Sequence, residues 1–191
     1  RPSKDDPHTI NKRSKFPKDP QKSSYMSDPF GEFVEFLNKE NAFGNTYIPK
    51  VYNFKTIVDS EGKEIYKYNI EKLNEIQNLS SEQIEFLKRK IFKKIPENKE
   101  LDSGKDLAEF INRIVGDYIN NDRKSYTDVY INDDELIEAA DIIKKFVRFR
   151  NIHKEERQTL YDRSWANIMY RNTPYGPQLV FADPVFDKKA F

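Results

Sequence analysis

The stretch LYDRSWANIMYR, residues 160–171, decides how this chain is read, because a polar loop with Asp162 and Asn167 five residues apart runs straight into an apolar segment. A second apolar run, QLVFA at 178–182, ends in Asp183 within LVFADP. Between the two lies NTPYGP, whose proline and glycine spacing is a turn signal, so the runs are expected to pair as an antiparallel hairpin. In such a hairpin the start of the first strand lies beside the end of the second. Asn167 and Asp183 are therefore expected at one open end, with Asp162 in the loop that feeds it. A carboxylate and a carboxamide oxygen are hard ligands suited to Mg2+ that keeps water and phosphate as its other contacts. Three oxygen donors around one cleft is an arrangement that phosphoryl transfer uses: one orients or deprotonates the attacking hydroxyl, two hold the metal. Asp and Asn are also common loop residues that make local turns. What distinguishes this pattern is the order of its parts: helix, Asp loop, Asn, strand, turn, strand, Asp.

Upstream of that stretch the periodicity is helical. SSEQIEFLKRKIFKKI carries a capping box in Ser80 and Gln83, with Ile84, Leu87, Ile91 and Ile95 at helical spacing. KDLAEFINRIVGDYI repeats the signal through Leu107, Phe110, Ile111, Ile114 and Tyr118. DDELIEAADIIKKFVRF gives a third helix with Leu136, Ala139, Ala140, Ile143, Phe146 and Val147 facing inward. Earlier still, IPKVYNFKTIV and KEIYKYNIEKL are β-rich runs separated by DSEG, a turn with glycine last, and predict another antiparallel hairpin. SDPFGEFVEFLNKE predicts a helix capped by Ser27 or Asp28, with Pro29 in its first turn and Phe30, Phe33, Val34 and Leu37 on one face. The fold class is thus α+β: a small strand-rich part, residues 28–73, over a helical part, residues 74–191.

Residues 1–27 differ from the rest. They hold seven Lys or Arg against three Asp, with four prolines, and predict a loosely docked basic arm. A nucleic-acid contact is the sharper reading of that arm, but only Phe16 and Tyr25 interleave its charges with aromatics. For the whole chain the net charge is +1, which exerts no global pull toward nucleic acid or acidic membranes. No run approaches the ~20 apolar residues needed to span a bilayer, and no signal peptide is visible. With Cys 0 there is no disulfide, thiolate metal site or cysteine nucleophile, which fits a cytoplasmic location. His8 and His153 are far apart and read as surface residues, not as a metal pair. Trp165 reads as a packing anchor of the Asp loop.

YDRSWANIMYR followed by LVFADPVF resembles the catalytic loop and metal-binding aspartate of the protein-kinase-like fold, whose motifs have the form H-R-D-x-x-x-x-N and D-F-G. Within that fold the chain is most similar to the short serine/threonine protein kinases of tailed bacteriophages, which carry D-x-x-x-x-N-I-M and end a strand in T-D-P-V. IPKVYNFK resembles their fourth-strand region, and YNIEKL stands where the strand into the hinge is expected. The resemblance spans roughly residues 28–186, and only the two tail motifs are specific. It implies a reduced strand-rich N-lobe over a helical C-lobe and an ATP- and Mg2+-dependent phosphotransferase. Asp162 would be the catalytic aspartate, and Asn167 and Asp183 the metal ligands. Glu71, Lys72 and Leu73 would form the nucleotide-binding hinge, with Lys12 as candidate phosphate-contacting lysine and Glu32 or Glu35 as its partner. Substrates would be serine or threonine residues of host proteins in a bacterial cytoplasm.

Departures from the motifs support an alternative. Leu160 and Tyr161 replace the His and Arg before the aspartate, Pro184 follows Asp183, and the first glycine of the chain is Gly31, so the glycine-rich phosphate loop is expected either upstream of Arg1 or to be lost. The alternative is a non-catalytic pseudokinase module that inhibits or recruits a host protein. A third reading, a virion or nucleic-acid-associated component, would rest on the basic arm.

Overall fold

The computed structural model describes residues 9–14, 29–58, 60–62, 64–153 and 157–189, with the backbone alone at 9–14, 64, 153, 157 and 189. Three strands form the first sheet: β1 (Thr9–Ser14), β2 (Val51–Val58) and β3 (Glu64–Glu71), in the antiparallel order β1-β3-β2. The expected β2–β3 hairpin is present, and its turn uses Gly62 at φ +77°, a left-handed conformation that costs glycine little. A bulge between Tyr52 and Lys55, with Asn53 at φ +54°, bends β2. Strand β1 falls inside the stretch expected as a basic arm, so six of those residues form the sheet edge. The β-branched pair Thr9 and Ile10 suits that edge, which pairs Thr9 with Glu71 and Lys12 with Tyr68. Residues 1–8 and 15–27 of the arm, including the aromatics Phe16 and Tyr25, lie outside the described residues.

Helix α1 (Phe30–Lys39) buries Phe30, Phe33, Val34 and Leu37, the predicted i, i+3, i+4, i+7 face. Its start differs from expectation. Pro29 is the N-cap, no side chain closes the first turn, and Ser27 and Asp28 lie outside the described residues. Aromatic burial holds the helix instead: Phe30 packs on Tyr68 of β3, and Phe33 and Phe36 both meet Phe146.

Four more helices follow: α2 (Ser81–Ile91), α3 (Gly104–Asn121), α4 (Lys124–Tyr130) and α5 (Asp134–His153). The capping box of α2 is made as read. The Gln83 amide donates to Ser80 Oγ at 3.2 Å and the Ser80 amide to Gln83 Oε1 at 2.9 Å. Ser103 caps α3 by accepting from the Asp106 amide. Helix α4, seven residues with only Thr127 buried, shows no apolar stripe that periodicity could detect.

The link Lys72–Leu73 leads from β3 into β4 (Asn74–Glu75), the edge of a second sheet completed by β6 (Ile168–Thr173) and β7 (Gly176–Phe181) in the order β4-β6-β7. The β6–β7 hairpin is the one expected around NTPYGP. It is not the last ordered feature. Strand β5 (Arg157–Tyr161) precedes the Asp loop and pairs antiparallel with β8 (Val185–Lys189), which follows Asp183. Thr159 and Leu160 on one side and Val185 and Phe186 on the other supply the β-branched and apolar residues of that ribbon.

The buried apolar side chains of the first sheet, α1 and the later helices form one continuous cluster, running from Tyr68 and Ile70 through Phe33 and Phe146 to Leu107 and Phe181. Among the described residues no helix is long and apolar enough to cross a membrane.

Candidate phosphoryl-transfer site

The site is assembled from two loops that run side by side. Strand pairing brings Tyr161 opposite Val185 and Ile168 opposite Phe181. Just beyond those pairs, the Asp162 amide donates to the Pro184 carbonyl at 2.8 Å, and the Ala182 amide donates to the Asn167 carbonyl at 2.8 Å. Segments 162–167 and 182–184 are thereby joined at both ends. Asp162, Asn167 and Asp183 occur on these joined loops, and all three are half-buried. Ala182 separates Asp183 from the end of β7, one residue more than the sequence suggested.

Within the Asp loop the local chemistry is a tight turn. Asp162 Oδ1 accepts from the Ser164 amide at 2.9 Å, and residues 165–167 form a single 3-10 turn. Among the described residues the Asn167 carboxamide has no hydrogen-bond partner, which leaves its oxygen available to a ligand. Trp165 is half-buried against the core with Lys105 Nζ 5.7 Å from its ring centre, consistent with the packing role expected of it.

Helix α3 holds this loop from below. Asn112, 1 % exposed, donates from Nδ2 to the carbonyls of Arg163 (3.2 Å) and Ser164 (3.1 Å) and accepts from the Tyr161 hydroxyl at 2.5 Å. Asn120, two turns along, accepts the Tyr161 amide at 3.0 Å. Asp117 pairs with Arg163 at 3.0 Å. Between them Gly116 leaves room for the Arg163 side chain, since a Cβ there would stand 2.6 Å from Arg163 Nε. Burial first, and then the negative charge of Asp162, push the Tyr161 phenol well above its usual range, so it stays a neutral donor. None of these α3 residues was singled out from sequence. The available signal was Asn112 itself, a carboxamide one turn from buried Ala108 on an apolar helix face.

The expected hinge residues divide. The Glu71 carboxylate is committed to structure: it takes Arg171 Nε at 3.0 Å and Nη2 at 2.5 Å, and the Lys50 amide at 2.8 Å. Its own amide donates to the Lys50 carbonyl at 3.0 Å. Lys72 is exposed and Leu73 half-buried in the link between the two sheets. Lys12 sits on β1 opposite Tyr68, and its side chain lies outside the described residues. Of its two candidate partners, Glu32 forms an ion pair with Arg150, and Glu35 accepts from the Tyr66 hydroxyl at 2.6 Å and pairs with Lys39 at 3.0 Å.

A second set of residues that sequence reasoning missed lies behind β8. Arg150 of α5, 2 % exposed, donates from Nη2 to Asp187 at 2.6 Å and from Nε to Thr159 Oγ1 at 2.9 Å, and Thr159 Oγ1 donates to the other Asp187 oxygen at 2.7 Å. With Glu32 this network joins α1, α5, β5 and β8 beside the loops that carry Asp162 and Asp183.

Among the described residues no group of three or more His, Cys, Asp or Glu side chains could hold a metal. The donor set here is two carboxylates and one carboxamide, too few for a full protein cage. By their chemistry these are hard oxygen donors, the type that Mg2+ takes alongside water and phosphate. No protein-family model, curated protein or solved structure matches the chain.

Proposed function

We propose that this chain is an ATP- and Mg2+-dependent phosphotransferase of protein-kinase-like architecture that acts on serine or threonine residues of host proteins. One observation carries the reading: the pair of 2.8 Å backbone bonds, Asp162 to Pro184 and Ala182 to Asn167, which joins the loops bearing Asp162, Asn167 and Asp183. Phosphoryl transfer asks little covalent chemistry of a protein and much positioning, so a rigid frame beneath three oxygen donors is what it requires. Asp162 would orient the attacking hydroxyl and accept its proton. Asn167 and Asp183 would hold Mg2+, which when bound neutralises the nucleotide phosphates. The order β1-β3-β2 with α1 inserted after β1, and the Lys72–Leu73 link into the second sheet, support a nucleotide seat between the strand-rich and helical parts. Lys12 on β1 would contact phosphate and the link would contact the base.

A second reading, a non-catalytic kinase-like module that binds a host protein, is favoured by Asp162 Oδ1 already serving as the local acceptor of the Ser164 amide. Titration of thermal stability with Mg·ATP, followed by measurement of ADP release, tests both. A bound nucleotide at a hundredfold excess over Kd raises stability by about 2.7 kcal/mol. A shift with turnover supports the enzyme, a shift without turnover the binding module. No shift at millimolar nucleotide sinks the proposed site.

A further inference from the structure

We propose that Asn112 is the positioning residue of the Asp162 loop, a buried carboxamide on α3 that holds the chain on both sides of Asp162. This rests on the phosphotransferase reading. The residues preceding Asp162 here are Leu160 and Tyr161, and neither can reach forward to hold the loop with a charge. The structure supplies a different holder. Asn112 is 1 % exposed and uses both ends of its side chain: Nδ2 donates to two successive carbonyls of the loop, Arg163 and Ser164, while Oδ1 accepts from Tyr161 one residue ahead of Asp162. Contacts therefore fall on both sides of Asp162, at Tyr161 and at Arg163 to Ser164. The carbonyls of Arg163 and Ser164 set the direction in which the intervening peptides point, and with it the Asp162 side chain. Asn120 repeats the device on the Tyr161 main chain, accepting its amide at 3.0 Å. Asp117 fixes Arg163, and Gly116 gives that arginine its space.

The chemistry of a carboxamide is specific to this task. It is the one uncharged side-chain group that donates twice and accepts at once without a titration near neutrality. An aspartate at the same place would keep the volume and still accept from Tyr161, but would present oxygens to two carbonyl oxygens and add a charge next to Asp162. Asn112→Asp therefore removes the donors while keeping the shape. Tyr161→Phe is the counterpart: it removes the hydroxyl and leaves both Nδ2 bonds in place.

The experiment compares wild type, Asn112→Asp and Tyr161→Phe in three readouts: ADP release with Mg·ATP and casein, the Mg·ATP-induced rise in melting temperature, and deuterium uptake over residues 161–168. Where Asn112→Asp fails to fold, Asn112→Ser, which keeps a single short donor, takes its place. The expected result is faster exchange in 161–168 for the Asn112 variant, with kcat lowered about 10- to 100-fold, the range that small misplacement of a reacting group produces. The nucleotide-induced shift stays near that of wild type, because loop direction acts mainly in the transition state. Tyr161→Phe removes only the contact ahead of Asp162, so it is expected to lower kcat less than the Asn112 variant does, since both loop carbonyls retain their donor. Unchanged exchange in the loop overturns the proposal, and so does faster exchange with unchanged kcat, which would make Asn112 merely structural. A wild type with neither turnover nor a Mg·ATP shift overturns the phosphotransferase reading itself, and the positioning role with it.

Discussion

The amide of Asp162 donates to the carbonyl of Pro184 at 2.8 Å, so the loop that carries the proposed catalytic aspartate is bonded directly to the residue after the proposed metal ligand Asp183. The bond continues the β5–β8 ribbon by one step beyond Tyr161 and Val185. It makes the position of Asp162 depend on a strand that lies entirely downstream of Asp183.

Substitution of the two aspartates separates their roles. Asp183→Asn is expected to weaken both Mg·ATP binding and turnover, because it removes a charge that would touch the metal in the ground state. Asp162→Asn is expected to leave nucleotide affinity near that of wild type and to lower kcat by ~10² to 10⁴, the usual contribution of a general base. Binding by melting-temperature shift and turnover by ADP release check the pair. If both variants keep wild-type kcat, the constellation is not catalytic.

Arg171→Ala is expected to destabilise the fold by about 3 kcal/mol, the cost of leaving a partly buried carboxylate without its partner. Arg171 joins Glu71 at the end of β3 to β6 and also donates to the carbonyls of Thr46 (2.6 Å) and Ile48 (3.0 Å). Arg171→Lys keeps the charge but not the two-pronged geometry, and should recover only part of the loss. Urea midpoints at constant m-value measure both.

Asp187→Ala is expected to cost about 3–5 kcal/mol, since it strips a partner from Arg150 while both are almost fully buried. The loss should appear in the urea midpoint. A change under ~1 kcal/mol would show that the remaining contact with Glu32 suffices for the arginine.

Glu35 gives the fold a pH dependence. The Tyr66 hydroxyl first, and Lys39 after it, hold the Glu35 carboxyl below the usual carboxylate range despite partial burial. A depressed folded pKa contributes stability that is present above the unfolded value, about 4.5 for this group, and is lost as pH falls through the folded value. Tyr66→Phe should therefore lower stability at pH 7 and narrow its gap to wild type at pH 3. Urea unfolding of both proteins at the two pH values decides it, and an equal gap at both would remove Glu35 as the cause.

Gly104→Ala should destabilise the chain despite alanine's better helix propensity. A Cβ there would stand 1.9 Å from the Ile76 carbonyl oxygen, a backbone atom that cannot swing aside. Overpacking of this kind costs about 1–3 kcal/mol. A melting temperature equal to or above wild type would show that the 3-10 turn at 76–78 shifts freely.

Local patterns were legible in the sequence wherever the chain's own periodicity or a short-range bond decides the outcome. The faces of α1, α3 and α5, and that of α2 as far as Ile91, follow from 3.6-residue spacing, whereas Ile95, expected on the α2 face, lies beyond the end of that helix. The capping box at Ser80 and Gln83 forms between residues three apart, and the turns at Gly62 and Pro174 to Gly176 are fixed by residue type. The order of Asp162, Asn167 and Asp183 around the β6–β7 hairpin was readable for the same reason, since a two-stranded pairing across a short turn leaves little choice of register. The strand-like run TINK, which ends at Lys12, was legible but its pairing was not, and neither was the helix at Lys124–Tyr130, because the first is placed by an open edge on β3 and the second by packing against α3.

What the amino-acid order determined by itself is therefore the α+β class, the helix faces and the presence of three oxygen donors in one C-terminal stretch. The tertiary structure decided what those donors are attached to. Pairing of β5 with β8, the Asn112 and Asn120 bonds from α3 to the Tyr161–Ser164 segment, and the Arg150–Asp187 pair all join residues between 24 and 52 positions apart. The commitment of the Glu71 carboxylate to Arg171 spans 100. Such contacts depend on loop closure and on burial that removes competing water, and neither quantity is encoded in any local window of the chain.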